Sequence, residues 1–221
     1  MKKKTLFAMA AFVLAVLFLN SCGNCNENGK TECEKAQQCE KSMSALDCIM
    51  TRKSVRSYTD QPVEDEKIEK ILRAGMAAPS AVNKQPWKFV VIKNREVLNK
   101  LAEANRGTRM AAQAPLAIAV CGDTTKAIEG EGREFWVQDA SAATENILLA
   151  AHSLGLGAVW TGIYPIKERT AEIGKILELP DYQIVLCVIP IGYPAENPEV
   201  KDKWNTDNIK YINYHSRREA L

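Results

Sequence analysis

Residues 52–92 read RKSVRSYTDQPVEDEKIEKILRAGMAAPSAVNKQPWKFVVI, a basic start followed by a helical pattern, a proline-bounded loop and an apolar run. From Pro62 to Ala78 the apolar residues Ile68, Ile71, Leu72 and Met76 recur at helical spacing, which predicts an amphipathic helix. Glu64, Asp65 and Glu66 suit the positive end of its dipole, and Pro79 stops it. Phe89–Ile92 is an apolar run of the length and composition of a buried strand. Between helix and strand, Pro79-Ser80-Ala81-Val82-Asn83-Lys84-Gln85-Pro86-Trp87 is a short loop stiffened at both ends by proline. Its amides, Asn83 and Gln85, can donate and accept together, as the edge of a heteroaromatic ring requires. A capped turn with Trp87 as a core anchor explains the same residues. Before the helix, Arg52-Lys53-Ser54-Val55-Arg56 puts three cations and a hydroxyl in five residues. That set can grip a phosphate, although a basic pentapeptide can equally be a solvated face.

The flanking sequence continues the mixture. Helices are expected over Ser44–Met50, Val97–Ala104, Phe135–Leu154 and Lys167–Leu177. The helix from Phe135 is Ala-rich and apolar almost all round in its second half, which suits a central, buried position, with Gly155 and Gly157 ending it. Strands are expected over Leu116–Cys121, Ala158–Trp160 and Ile184–Ile189, and a short alternating stretch over Ile209–Tyr214. Few clean strand-helix-strand units occur, so the class is α+β rather than a doubly wound sheet. No G-x-G-x-x-G follows a strand, which argues against a Rossmann cofactor site.

The N-terminus stands apart. Lys2, Lys3 and Lys4 precede an apolar run from Leu6 to Leu19, the order of an export signal. The run is shorter than the roughly 20 residues that a spanning helix needs. Leu19-Asn20-Ser21-Cys22 resembles the bacterial lipobox, which implies cleavage before Cys22 and its lipidation. The expected organisation is a signal peptide over 1–21, a lipid-anchored polar tether over 22–42 and a folded domain over 43–221. The protein would then be exported and held on the cell envelope. Cys25, Cys33 and Cys39 in the tether match neither zinc nor iron–sulfur spacings, and disulfides are the simplest use for them, with Cys48 as a candidate partner. Cys121 and Cys187 lie in apolar runs and read as core residues. With 221 residues and a net charge of +2, composition offers no basis for nucleic-acid binding.

Taken in order, Arg-Lys-Ser-x-Arg, a helix, Pro-Ser-x-x-Asn-x-Gln-Pro-Trp and a strand resemble the opening of the FMN-dependent nitroreductase family. Gly155 to Gly162, Ile189 to Pro194 and Lys201 to Trp204 resemble its later segments, so the likeness runs from about Ser44 to Tyr214. The resemblance implies a central mixed or antiparallel sheet flanked by helices, in an intertwined homodimer. It implies that Arg52, Lys53, Ser54, Lys201 and Lys203 serve the FMN phosphate, and Arg56 and Asn83 the pyrimidine ring. It places Pro79, Ser80, Ala81 and Gln85 in a loop brought to the flavin, in part from the partner subunit, and Gly162 beside the flavin N5. It further implies NAD(P)H as electron donor and a small acceptor such as a nitroaromatic or quinone, in a ping-pong cycle. No protein acid, base or nucleophile is demanded, and His152 and His215 are expected to be structural or exposed. Asp123–Arg133 would form the substrate-side loop. The rival expectations are a surface-anchored flavin-binding redox protein without NAD(P)H turnover, and a dehalogenating or flavin-modifying relative.

Overall fold

A computed structural model describes residues 43–212. The expected signal peptide over 1–21, Cys22, the expected tether with Cys25, Cys33 and Cys39, and the last residues with His215 lie outside the described residues. Two strands carry the fold: β2 (Leu116–Asp123) and β5 (Gln183–Gly192) pair antiparallel from Leu116↔Ile191 to Asp123↔Gln183, with an irregularity between Val120 and Cys121. Every residue of β2 is buried. An uninterrupted apolar strand of this kind must be covered on both faces, and helices cover both here. β1 (Trp87–Ile92) pairs antiparallel with the other edge of β2. Beyond β5 lie two short antiparallel partners, β3 (Gly157–Ala158) and β4 (Thr161–Gly162).

Among the described residues, five α-helices flank the sheet: α1 (Ala45–Thr51), α2 (Asp65–Met76), α3 (Arg95–Ala104), α4 (Phe135–Ser153) and α5 (Lys167–Ile176). On one face, Ile118, Val120, Ile189 and Ile191 pack with α2 and α4. On the other, Ala117, Ala119, Cys121 and Val188 meet Leu98 and Leu101 of α3 and Ile173 of α5. Ala140, Ala143, Ile147 and Ala151 of α4 are wholly buried, so small side chains let this helix lie close on the sheet. Truncating a fully buried leucine such as Leu98 or Leu101 would cost about 2–5 kcal/mol.

The elements agree with the expectations within a few residues, apart from four local differences. Met76 is exposed: the buried stripe of α2 runs through Ile68, Ile71 and Gly75, and Met76 falls just past its edge. The strand expected over Ala158–Trp160 is split, because Val159 turns into a cluster with Val55, Tyr58 and Met110. Gly155, at φ 75°, ends α4 alone. Gly157 instead sits in β3, where a Cβ would lie 2.6 Å from Val55 Cγ1. Ile209–Ile212 is exposed and forms no strand.

Candidate active site

The basic pentapeptide is an extended segment docked on β3. Ser54 bridges Ala158 in parallel, and Val55 N–H donates to the Ala158 carbonyl at 3.1 Å. Thr59 N–H donates to Tyr193 O at 2.9 Å, and Ala195 N–H to Ser57 O at 3.0 Å, which clamps the segment from its other side. Extended chain alternates its side chains. Val55 points into the core and is 3% exposed. Tyr58 is buried, its hydroxyl donating to Val55 O at 2.7 Å, and burial pushes its phenol above the usual range. Arg52, Ser54 and Arg56 turn the other way, into a cavity of about 770 Å³ also lined by Lys201, Lys203 and Trp204.

That cavity joins two basic segments that lie far apart in the chain. Arg52 is steadied by Glu145, Nε to Oε1 3.0 Å. The Arg56 backbone N–H donates to Glu196 Oε1 at 2.6 Å, leaving its guanidinium to the cavity. Two carboxylates, Glu199 and Asp202, share the lining, and Asp202 caps the Trp204 N–H at 2.9 Å. Lys53 is not part of the lining; its ammonium donates to Asn197 Oδ1.

Arg56 also lines a second cavity of about 500 Å³, with Asn105, Arg106, Arg109, Gly162 and Arg169. Asn105 follows α3, and its Oδ1 accepts from Gly107 N–H at 3.1 Å, which orients the amide. Its Nδ2 is then a buried donor without a partner among the described residues. An unpaired buried donor costs roughly 1–3 kcal/mol unless something accepts from it. At Gly162 a Cβ would meet nothing within 4 Å, so the backbone there is open to a bound group. One cavity is suited to a phosphate, and its neighbour offers an amide donor and guanidinium groups to ring carbonyls. The residues therefore fit a flavin mononucleotide.

The loop expected at the flavin behaves differently. Pro79–Gln85 lines neither cavity. Ala81 N–H donates to Asp139 Oδ1 at 2.8 Å, Gln85 N–H to Ser80 Oγ at 3.0 Å, and Gln85 Nε2 to Asn83 Oδ1 at 2.9 Å. Asn83 and Gln85 thus face each other rather than a ring of the same chain. Val82, Asn83 and Gln85 have φ of 44°, 57° and 51°, a conformation disfavoured for a β-branched residue such as Val82, which is 78% exposed. The segment 123–133 lines neither cavity either. His152 is half-buried at α4, its Nε2 3.0 Å from Thr51 Oγ1. Burial, with the Lys53 and Arg52 charges, holds its pKa below the usual value.

Sequence reasoning passed over Asn105, Arg106, Arg109 and Arg169. The available signal was Asn105-Arg106-Gly107-Thr108-Arg109, a polar turn with two cations directly after a helix.

A two-layered cover of helices on an antiparallel sheet, with a phosphate-type cavity meeting a ring-type cavity, defines a flavin-binding class of fold. A family model described as Nitroreductase family matches residues 49–109 and 105–193, and the chain belongs to that family. A Methanothermobacter thermautotrophicus protein named "Putative NADH dehydrogenase/NAD(P)H nitroreductase" is 50% identical over 168 residues, 76% of this chain and 86% of its own length. The crystal structure of a Bacteroides thetaiotaomicron protein of the same name superimposes with a TM-score of 0.72 at 47% identity, covering 77% of this chain and 98% of that one. An FMN-dependent nitroreductase from Clostridium difficile gives a TM-score of 0.70 at 31% identity, covering 76% and 99%.

Proposed function

We propose that the protein is an FMN-dependent NAD(P)H oxidoreductase. The observation that carries this is the meeting of two cavities at Arg56, one with the cations Arg52, Lys201 and Lys203, the other with the unpaired Asn105 amide. When bound, FMN would supply two-electron redox chemistry between NAD(P)H and a second small acceptor such as a nitroaromatic or quinone, in ping-pong order. The chain supplies binding, orientation and charge. Arg52, Ser54, Lys201 and Lys203 hold the phosphate, Lys203 without the planar fork of an arginine. Asn105 Nδ2 and Arg109 would hold the pyrimidine edge, and the open Gly162 backbone would flank the ring. Arg56, on the wall of both cavities, stabilises the negative charge that builds at the N1–C2 carbonyl side on reduction. Lys53 acts indirectly, by fixing the segment to Asn197.

The active form is proposed to be a homodimer. The strained loop Pro79–Gln85 exposes Val82 and Asn83 and leaves Ser80 and Ala81 half-buried, and in the proposed dimer it reaches the partner's flavin rather than its own. Leu46, Ile49 and Met50 of α1 and Trp204, Tyr211 and Ile212 of the C-terminal arm are all more than half exposed, an apolar surface that a second chain would cover. We also propose that the enzyme is an exported lipoprotein anchored through Cys22, on the strength of the basic–apolar–cysteine start alone. Loss of fatty-acid labelling in Cys22→Ser would support the anchor, and unchanged labelling would remove it.

The test of the activity is direct. Protein from Met43 onward should carry the flavin absorption bands, release FMN on denaturation and bleach on anaerobic addition of NADH or NADPH. Protein that stays colourless with added FMN would end the proposal. Bleaching by dithionite alone would leave a flavin-binding protein with another donor.

A further inference from the structure

The second cavity holds more positive charge than a flavin ring requires. Four arginines, Arg56, Arg106, Arg109 and Arg169, line it, with no aspartate or glutamate among the described residues. Arg56 and Arg109, beside the Asn105 amide, suffice for the pyrimidine edge. Arg106 and Arg169 remain. Neither makes an ion pair or a side-chain hydrogen bond among the described residues. They come from separate elements: Arg106 opens the turn of Arg106–Ala112 after α3, and Arg169 lies in the first turn of α5. A cation in the first turn faces the positive end of the helix dipole, where a carboxylate is the favoured residue. Glu168 in the same turn is such a carboxylate, and Arg169, exposed beside it, lines the cavity.

We propose that Arg106 and Arg169 form an anion subsite for the molecules that exchange electrons with the flavin. The group recognised is a phosphate or a carboxylate, the anions whose paired oxygens match a guanidinium fork. The inference rests on the FMN reading and names the substrate class of that same site. Two sources share this chemistry: the phosphates of a nicotinamide dinucleotide, and an acid group on the acceptor. Uncharged acceptors of the same size reach the ring without using these arginines.

The test uses the FMN-loaded full chain and the double variant Arg106→Gln/Arg169→Gln. Calorimetry on the oxidised protein measures binding of NADP⁺, NAD⁺, 4-nitrobenzoate and the neutral 4-nitrobenzyl alcohol. We expect the variant to keep its full FMN content and to lose about tenfold in affinity for at least one anionic probe, with the alcohol changed by less than about twofold. Added salt should erode the wild-type advantage for that probe. Loss for NADP⁺ alone assigns the subsite to the extra phosphate, equal loss for both nucleotides to the pyrophosphate, and loss for nitrobenzoate alone to an acidic acceptor. The rate of flavin bleaching by NADPH, or of reoxidation by 4-nitrobenzoate, should fall in step with the affected probe. Equal losses for charged and neutral probes, or no loss for any, overturn the proposal. FMN missing from the variant alone would put these arginines in the flavin site and also overturn it. FMN missing from the wild type would sink the flavin reading itself.

Discussion

Replacing Gly157 by alanine should weaken the cofactor site without touching any residue in it. A Cβ at that position would lie 2.6 Å from Val55 Cγ1 and 2.7 Å from Val55 Cβ. Carbon atoms rest at about 3.5–4.0 Å, so Val55 must retreat by roughly 1 Å. It has little room to do so, being 3% exposed among Tyr58, Met110, Ala114 and Val159. Overpacking of this kind costs about 1–3 kcal/mol. Taking about 2 kcal/mol, the melting temperature of a domain this size falls by about 4–8 °C. Retreat also stretches the Val55 N–H to Ala158 O bond and shifts Ser54, its neighbour, along with Arg52 and Arg56 on the same strand face. Losing one charge-assisted contact to the phosphate, about 1.5–3 kcal/mol, raises the FMN Kd by about 10- to 100-fold. Differential scanning calorimetry reads the first effect, and FMN fluorescence titration the second. Gly174→Ala is the control, since a Cβ there meets nothing within 4 Å and alanine favours a helix by about 0.5–1 kcal/mol. Wild-type affinity and melting temperature in Gly157→Ala would refute the idea that close packing of Val55 on β3 positions the phosphate-binding strand.

Four further outcomes are expected. Asn105→Ala loses the Gly107 contact but also an unpaired donor, so apo-protein stability should change by less than about 1 kcal/mol while FMN affinity falls several-fold, by roughly 1 kcal/mol; equal losses in both measurements would make Asn105 merely structural. Burial pushes the Cys121 and Cys187 thiols from 9.0 up to about 12, so a disulfide reagent at neutral pH should label neither until the protein is unfolded. The folded state then keeps protons that the unfolded chain gives up near 9.0, so this stability is complete below that pH and is lost as pH rises from 9.0 toward 12; urea melts that show no decline over this window would contradict it. Val82→Glu places a charge on the exposed loop proposed to meet the partner, and light scattering should show a shift toward monomer with unchanged far-UV circular dichroism; an intact dimer would remove this loop from the interface.

Much of the fold was legible because it depends on local periodicity. The apolar spacing of Ile68 and Ile71, the acids that start α2 and the apolar runs of β2 and β5 each act within one element, and each matches the structure to within a few residues. Arg52, Ser54 and Arg56 were legible as phosphate-type donors from their chemistry, with a solvated face explaining the same residues equally well; that all three line one cavity appears only in the structure. The lysines at 201 and 203 were legible only through family resemblance.

What the sequence by itself determined is most of the elements, their α+β class and the basic character of the segment Arg52–Arg56, since these follow from backbone propensity and from which residues must leave water. Only the tertiary structure decided that Lys201 and Lys203 face Arg52, that Lys53 turns away to Asn197, and that Asn105, Arg106 and Arg169 share one cavity. It also decided that Gly157 serves the close approach of Val55 rather than ending a helix, and that Asn83 and Gln85 bond to each other. Each of these depends on segments tens of residues apart meeting through sheet register and packing, and no pattern within a single element encodes which distant side chain will lie opposite.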